Sequence, residues 1–481
     1  MMSTKPHLLF TFCLLLAISF ALLASTGNHP QEEKPNIVII YTDDQGTLDA
    51  NCYGASDLYT PNIDQLSATG VQFTQAYAHT VCCPSRAALL TGRHPQRAGI
   101  NHWTQNDAHA EEKDINMPLS EITIAEILQE QGYRTGLFGK WHLGAALENG
   151  PLEQGFDEFY GFRGGFIDNY AHYFLHGKGF HDLWHNKEEI FKRNQYFPDL
   201  MTEKALQFID SNKNQPFFLY AAFNLPHYPE QPDSSFLSYN TNLDEPRRSY
   251  ANVIATIDDK IGQLIDKLEV LNIRDNTFII FMSDNGHSAE ETMIKIDDHS
   301  SGLPKGTNYC ANGGGGYTGK WRGAKASFLE GGIRVPAIIS YPGRFPEGET
   351  RDQIISCMDF LPTICEITGS NLPDSAIDGY SLLPIIASEE AKSYHQVLYF
   401  QWREQWAVRE GRWKLIVKGR DTTGKFSHHK QKDENMESPY LANLKADNPE
   451  EQNYASKHPE VVARLTNLYE HWEATVKNEN K

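Results

Sequence analysis

The feature that most restricts the fold is an alternation of short apolar strand patterns with amphipathic helix patterns. The strand patterns occupy residues 35–41, 135–138, 216–223 and 277–282. The helix patterns occupy residues 122–131, 200–211 and 249–271. Such alternation is typical of a mostly parallel sheet with helices on both faces. Ligands of these sheets bind beyond the carboxyl ends of the strands, so we expect an α/β fold with its functional site at that edge.

A change of pattern after residue 380 predicts a smaller second domain. Short strand patterns at residues 397–401, 405–409 and 413–417 indicate an antiparallel sheet, and residues 459–477 form an amphipathic helix pattern. The polar residues 420–438 between them indicate a surface loop. We therefore expect a large α/β domain over residues 33–380 and an α+β subdomain over residues 381–481.

The first 25 residues have the layout of a secretory signal peptide. Lys5 precedes the apolar residues 8–23, and small residues follow at 24–27. A membrane anchor is the alternative, but the apolar run is shorter than the ~20 residues that span a bilayer. No Asn-x-Ser/Thr site occurs in the chain, which favours a bacterial exporter. We expect export to the periplasm or cell surface and no stable membrane span.

The formal net charge of −19 limits the partners of this chain. A strongly acidic protein does not bind nucleic acid nonspecifically, so no nucleic-acid partner is expected. Any anion pocket must be built locally from Lys, Arg and His. The six cysteines outside the apolar run are too few for a disulfide framework in a chain of 481 residues. A single bridge between Cys357 and Cys365 is one possible pairing.

The most specific motif is CCPSR at residues 82–86, which continues as AALLTGR through residue 93. This run resembles the Cys-x-Pro-Ser-Arg signature of the formylglycine-dependent sulfatases, which have the alkaline-phosphatase-like fold. A phosphatase loop of the Cys-x5-Arg type is excluded, because neither Cys82 nor Cys83 has an arginine six positions later. An ordinary buried cysteine pair before a helix is the alternative interpretation of the motif.

The resemblance implies a large mixed sheet flanked by helices, with a smaller C-terminal antiparallel sheet and helix. It also implies that a formylglycine-generating maturation enzyme oxidises Cys82 to formylglycine (3-oxoalanine). The hydrated aldehyde has two hydroxyls on one carbon: one attacks sulfur, and the other later expels sulfate by reforming the aldehyde. Arg86, one helical turn after Cys82, is expected to support the gem-diol and its developing charge.

Oxygen-bearing side chains follow two of the predicted strands. Asp43 and Asp44 follow the first strand, and Asp284 and Asn285 follow residues 277–282. Such pairs are also common in turns, but four oxygen ligands from two strand ends suit Ca²⁺ or Mg²⁺ better than zinc. The resemblance implies that these residues and Cys82 hold one divalent metal, with Ca²⁺ preferred. Asp284 is a candidate base toward the attacking hydroxyl as well.

Three further segments supply cationic or titratable side chains. They are GKWHLG at residues 139–144, NLPHYP at 224–229 and RGAK at 322–325, and they resemble family segments in the same order. A lone Lys or His at a strand end is more often simply solvated. The resemblance implies that Lys140, His227 and Lys325 hold the sulfate oxygens. It also implies that His227 protonates the leaving alcohol and that His142 deprotonates the second hydroxyl.

Aromatic and basic residues are candidates for contacts with a glycan substrate, but they do not identify the glycan. His172, Trp402 and Arg403 are candidate glycan contacts, and packing under loops is an equally good interpretation. The resemblance favours a bacterial enzyme acting on a sulfated polysaccharide or oligosaccharide. Residues 440–444, YLANL, depart from the family's usual Leu-Tyr-Asp-Leu run, which weakens substrate assignment by relatives. The alternatives are a phosphomonoester or phosphodiester hydrolase of the same superfamily and an inactive glycan-binding protein.

Overall fold

The computed structural model describes residue 1, residues 34–104 and residues 115–478. Apart from residue 1, the predicted signal peptide lies outside the described residues. The residues from Pro35 onward group as one compact unit. Among the helices described, none is both long and apolar enough to cross a membrane.

Residues 36–283 contain strands of the large sheet and two short hairpin strands. In chain order these are β1 (Asn36–Asp43), β2 (Val71–Tyr77), β3 (Arg134–Lys140), β4 (Glu158–Phe162), β5 (Tyr173–Phe174), β6 (Phe180–His181), β7 (Trp184–His185), β8 (Glu188–Glu189), β9 (Phe217–Pro226) and β10 (Thr277–Ser283). The later strands are β11 (Glu291–Met293), β12 (Asn308–Asn312), β13 (Tyr317–Gly319), β14 (Arg334–Ser340), β15 (Glu349–Ser356), β16 (Val397–Trp402), β17 (Gln405–Glu410), β18 (Trp413–Val417), β19 (Arg420–Asp421), β20 (Phe426–Ser427), β21 (Glu434–Asn435) and β22 (Tyr440–Asn443).

The α-helices of the described residues are, in chain order, α1 (Pro61–Ala68), α2 (Cys82–Thr91), α3 (Ile124–Glu130), α4 (Phe197–Asn212), α5 (Arg247–Val270), α6 (Glu330–Ile333), α7 (Phe360–Thr368), α8 (Leu383–Ala387) and α9 (Pro459–Asn478). Local sequence explains several of their ends. Thr123 and Glu126 form a reciprocal capping box at the start of α3. Gly92 ends α2 in a left-handed conformation with φ of 66°.

The central sheet has ten strands in the order β15-β2-β14-β10-β1-β9-β3-β4-β7-β8. The five central strands β10, β1, β9, β3 and β4 run parallel. Strand β14 is antiparallel to both of its neighbours, and β7 and β8 form an antiparallel edge. The sheet is therefore mixed, as predicted.

Alternate residues of the strands face two separate apolar cores. Ile37, Ile39 and Tyr41 of β1 pack with α2, α3, α7 and α8, whereas Val38 and Ile40 pack with α1, α4 and α5. Every residue of β1 is buried, because helices cover both faces of the sheet. The prediction of a sheet flanked by helices is confirmed.

A four-stranded antiparallel sheet, in the order β16-β17-β18-β22, forms the predicted smaller sheet. Helix α9 packs on one face of it, where Trp406 stacks on Tyr469 with ring centroids 4.0 Å apart. The other face packs against Phe328 and Leu329. The boundary near residue 380 stays a prediction.

One expectation from the sequence was wrong, and one disulfide that the sequence left open does not form. Residues 420–438 are not simply a surface loop: they contain β19, β20 and β21, and Asp421 and Thr423 are buried. Strands of two residues are too short to show a periodic pattern. Cys357 and Cys365 are free thiols, and their sulfur atoms face the carbonyl oxygens of Ser85 and Asn371.

The interface between α9 and its sheet gives a stability prediction. Leu465 is fully buried there, so Leu465→Ala is expected to lower the free energy of unfolding by about 2–5 kcal/mol. Leu237→Ala, at a leucine that is 63% exposed, should change it by less than about 0.5 kcal/mol. Urea unfolding followed by tryptophan fluorescence measures both, and equal effects would contradict this packing.

Candidate active site

The carboxyl ends of four adjacent parallel strands bring the predicted site residues to one edge of the sheet. The strands β3, β9, β1 and β10 are neighbours in that order. Lys140 ends β3, Asp43 ends β1 and Ser283 ends β10, and His227 directly follows β9. Helix α2 begins at Cys82, whose Sγ lies 3.3 Å from Asp43 Oδ1. The structure therefore brings these predicted residues together at this edge, and their roles stay predictions.

A cluster of buried acidic side chains surrounds Cys82. Asp43, Asp44, Cys82 and Asp284 each offer an atom within 4.8 Å of the others, and all four residues are buried. The backbone N–H of Asp44 donates to Asp284 Oδ1 over 3.2 Å. This arrangement brings the loop after β1 and the loop after β10 together around one small volume.

Asn285 completes this cluster in a way that suits a cation. Its Nδ2 donates to Asp44 Oδ1 over 2.6 Å. Its buried Oδ1 has no hydrogen-bond partner among the described residues. A buried carbonyl oxygen beside three carboxylates needs a positive partner, because an unsatisfied buried polar atom is costly. The donor set, rich in oxygen, therefore fits a hard divalent cation.

Three buried cations pair one to one with the three carboxylates. Lys140 Nζ lies 2.7 Å from Asp43 Oδ2, and Arg86 Nη2 lies 2.7 Å from Asp284 Oδ2. Lys325 Nζ lies 2.8 Å from Asp44 Oδ1. The side chains are at most 8% exposed. The positive charge that an anion pocket requires is thus built locally, as expected for an acidic protein.

Burial and neighbouring charges shift the pKa values of the carboxyl groups in different directions. Burial raises the pKa of Asp44 to about 7, opposed by Lys325 and reinforced by Asp43 and Asp284. Burial and the Asp43 charge also raise the pKa of Asp284. Burial alone would raise the pKa of Asp43, but Lys140, His227 and Arg86 together lower it. A bound divalent cation would favour the ionised form of all three.

The same surroundings make the unmodified thiol of Cys82 a poor nucleophile. Burial, followed by the charges of Asp284 and Asp43, raises its pKa well above the usual value. Only a thiolate is strongly nucleophilic. The site therefore does not suit thiolate chemistry, which is consistent with the expected conversion of Cys82 to another group.

Two histidines complete the site. The His227 Nδ1–H donates to the carbonyl oxygen of Tyr228 over 2.6 Å, and Nε2 lies 3.6 Å from Asp44 Oδ2. The ring of His227 also stacks on Phe166. Neither ring nitrogen of His142 has a hydrogen-bond partner within the described part of the chain. Burial, followed by the nearby charges of Lys140 and Arg86, lowers the pKa of His142 and so favours its neutral form.

A cleft of about 800 Å³ opens beside Lys325. Trp402 lines it together with Trp103, and the Arg403 guanidinium lies 5.2 Å from the ring centre of Trp103. Sequence reasoning missed other charged residues of this cleft, among them Glu290, Lys295, Arg420 and Lys432. No motif marked these residues, because Glu290, Lys295 and Lys432 come from irregular segments and the two-residue strand β19, which contains Arg420, is too short to show a pattern.

His172 does not line this cleft. It is fully buried, and its Nε2 bonds to the carbonyl oxygen of Gln195 over 3.0 Å. Its φ of 64° also shows that it forms part of a tight turn. The expectation that His172 contacts substrate is therefore corrected: the side chain holds a loop together.

Comparisons with known proteins identify the family of this chain. The sulfatase family profile matches residues 35–370, and the profile of the N-sulphoglucosamine sulphohydrolase C-terminal region matches residues 321–474. N-acetylgalactosamine-6-sulfatase of Canis lupus familiaris is 32% identical over 83% of this chain and 74% of its own length. Human steryl-sulfatase is 29% identical over 76% of this chain and 72% of its own.

A solved structure supports the same assignment. The crystal structure of Ps i-CgsB superposes with a TM-score of 0.74 and 29% identity, covering 92% of this chain and 93% of that protein. The predicted alkaline-phosphatase-like fold is confirmed. The chain belongs to the sulfatase family and is a sulfuric ester hydrolase.

Proposed function

We propose that this sulfatase removes sulfate groups from a sulfated polysaccharide or oligosaccharide. The observation that carries the proposal is the convergence of three carboxylates and three cations around Cys82. Relatives support the substrate class: N-acetylgalactosamine-6-sulfatase is named for a sulfated sugar, and Ps i-CgsB has been crystallised with k-i-k-neocarrahexaose. The cleft beside Lys325, lined by two tryptophans, offers aromatic surfaces for sugar rings.

Asp43, Asp44, Asp284 and Asn285 would hold one divalent metal together with the group at position 82. We favour Ca²⁺, because Ca²⁺ accepts many protein oxygen ligands whereas Mg²⁺ usually keeps several waters. When bound, the metal polarises the sulfate ester and lowers the pKa of a hydroxyl nucleophile. Arg86 positions Asp284, since its Nε and Nη2 both bond to Asp284 Oδ2.

We propose that Cys82 is converted to formylglycine by a maturation enzyme, which gives the site a geminal pair of hydroxyls. Lys140 and Lys325 bind the sulfate oxygens. His227 donates a proton to the leaving alcohol through Nε2, because Nδ1–H is held by the Tyr228 carbonyl. This step uses the doubly protonated ring; burial lowers the pKa of His227, which makes that ring a strong acid once the bound sulfate ester has favoured its protonation. His142, neutral and without a hydrogen-bond partner among the described residues, accepts a proton during sulfate release.

Export to the periplasm or cell surface is part of the same proposal. It rests on the charged, apolar and small-residue layout of residues 1–25. A phosphate ester is the competing substrate. The proposal is tested by measuring sulfate release from a panel of sulfated glycans. The rates of hydrolysis of an aryl sulfate and an aryl phosphate are compared in parallel, and a higher rate on the aryl phosphate would overturn the proposal.

The identity of position 82 gives the first test. In active protein, the peptide containing Cys82 should be lighter by about 18 Da, from the thiol-to-aldehyde stoichiometry. Cys82→Ala should abolish sulfate release, whereas Cys83→Ala, at the adjacent buried cysteine, should retain it. Mass spectrometry and an activity assay check both, and an unshifted mass in active protein refutes the mechanism.

Metal dependence gives the second test. Chelation should abolish sulfate release, and Ca²⁺ should restore more of it than Mg²⁺. Ca²⁺ should also raise the melting temperature of the chelated protein, because a ligand of the folded state stabilises it. Asp284→Asn should remove this rise, and Asp275→Asn, at an exposed carboxylate, should keep it. A rise that survives Asp284→Asn would place the metal elsewhere.

Proton donation by His227 gives the third test. His227→Ala should lower kcat by about 10²- to 10⁴-fold for sugar sulfates. The loss should be much smaller for nitrophenyl sulfate, whose leaving group needs no proton. Lys140→Ala should affect both substrates alike, because Lys140 binds the sulfate that they share. Equal losses for His227→Ala on both substrates would rule out its role as general acid.

A further inference from the structure

A second cavity, which we call the basic cavity, lies between β2 of the large sheet and β17 of the small sheet. It has a volume of about 510 Å³ and is lined by none of the proposed catalytic or metal-binding residues. Its cationic lining residues are Lys320, Arg334, Arg409, Arg412 and Lys445.

The charge of the basic cavity is opposite to that of the whole chain. Five cationic residues line it against two acidic ones, Glu330 and Asp352, whereas the chain has 43 Lys and Arg against 62 Asp and Glu. The acidic residues are already engaged. Glu330 is bound by Lys414 at 2.8 Å and by the Tyr77 hydroxyl at 2.6 Å. Asp352 accepts from the Thr74 hydroxyl over 2.8 Å. The cavity therefore has an excess of positive charge.

Arg409 is a buried part of this lining whose hydrogen bonds are all to neutral groups. It is 7% exposed. Its guanidinium donates to the Tyr77 hydroxyl, to Gln75 Oε1 and to the Gly411 carbonyl oxygen. No carboxylate of the described residues forms an ion pair with it.

The charge of Arg409 acts on Glu330 through the shared Tyr77 hydroxyl. However, Lys414 and Arg334 compete for the same carboxylate. An anion that entered the cavity would therefore give Arg409 a desolvated charge partner of its own.

Arg334 adds a second buried guanidinium with unused capacity. It is also 7% exposed, and its buried Nε has no hydrogen-bond partner among the described residues. Its Nη1 lies 3.4 Å from Glu330 Oε2, and its guanidinium lies 4.3 Å from the ring centre of Trp321. A planar guanidinium presents several donors in a fixed geometry, which suits the oxygens of a sulfate group.

Three exposed cations extend the cavity outward. Lys320, Arg412 and Lys445 form no ion pair with any residue that the structure describes, and Lys320 lies over the Trp321 ring at 4.8 Å. One small anion would occupy only the buried arginines. Cations at the opening give additional contacts to a ligand that has several negative groups.

We propose that the basic cavity is a second anion-binding site, separate from the catalytic centre, which holds a sulfate group of an anionic glycan chain. Arg334 and Arg409 bind one sulfate group, and Lys320, Arg412 and Lys445 contact neighbouring anionic groups. A free sulfate ion offers the same oxygens as a sulfate group on a glycan, so the test compares the binding of these two ligands. The proposal does not rest on the proposed hydrolysis, because binding is measured without turnover.

The experiment uses isothermal titration of the full chain bearing Cys82→Ala. The probes are a sulfated dextran oligosaccharide and, separately, sodium sulfate. Two triple variants are compared: Lys320→Ala/Arg412→Ala/Lys445→Ala, and a matched control of equal charge loss, Lys192→Ala/Arg193→Ala/Lys392→Ala, at exposed positions elsewhere. Arg409→Gln tests the buried part of the cavity, and its melting temperature reports whether it folds.

We expect one binding event of the oligosaccharide to weaken at least about tenfold in the cavity triple variant and to stay within about twofold in the control. Sodium sulfate should bind weakly, and this binding should be lost in Arg409→Gln but kept in both triple variants. That result would support a sulfate group carried on a glycan chain as the ligand, because the chain would add contacts that free sulfate lacks. Sodium sulfate binding as strong as that of the oligosaccharide would overturn the glycan assignment. If oligosaccharide binding weakens equally in both triple variants, or in neither of them, the proposed site is overturned. These two outcomes can be read whether or not Arg409→Gln folds.

With Cys82 intact, the cavity triple variant should keep the parent kcat/KM on nitrophenyl sulfate, whose single sulfate group occupies only the catalytic centre. A loss above about tenfold would place these residues in the catalytic cleft and contradict a separate site. Absence of sulfatase activity in the parent would refute the proposed function while leaving the binding result intact, so the two failures are distinguishable.

Discussion

The active site depends on the compensation of three carboxylates that are buried within a few ångströms of one another. Asp43, Asp44 and Asp284 repel each other and lose hydration, so each needs a cation close by. Lys140, Lys325 and Arg86 supply one each, at 2.7–2.8 Å. The buried Oδ1 of Asn285, which has no hydrogen-bond partner among the described residues, leaves room beside them for a further positive charge.

This constraint explains why the site lies where it does. The carboxyl ends of parallel strands meet at one edge, and the strands β3, β9, β1 and β10 are adjacent there. Apolar residues on both faces of β1 hold that edge rigidly between two cores. Rigid placement of fixed charges reduces the reorganisation needed when charge develops on a sulfate group. Hydrophobic burial therefore maintains a polar arrangement that would not persist in water.

Local concentration of positive charge is the second theme of the molecule. A chain with a net charge of −19 repels polyanions at a distance. The catalytic centre and the basic cavity each overcome this repulsion with buried cations in a region of low dielectric, where a charge acts more strongly. In the catalytic centre the cations contact carboxylates directly, whereas no carboxylate in the part of the chain that the structure describes forms an ion pair with Arg409 of the cavity. That difference separates a site built around a metal from one open to a free anion.

The sequence by itself determined the α/β fold, the positions of the seven strands and four helices that it predicted to within three residues, and the residues that converge on Cys82. It succeeded because strand and helix periodicity is local and because the motifs lie directly after strands. Only the tertiary structure decided that His172 is buried, that Cys357 and Cys365 are free, and that residues 420–438 contain strands. It alone revealed the basic cavity, whose lining residues are spread from Thr47 to Lys445. Contacts between residues so distant in the chain depend on the packing of two sheets, which no local pattern encodes.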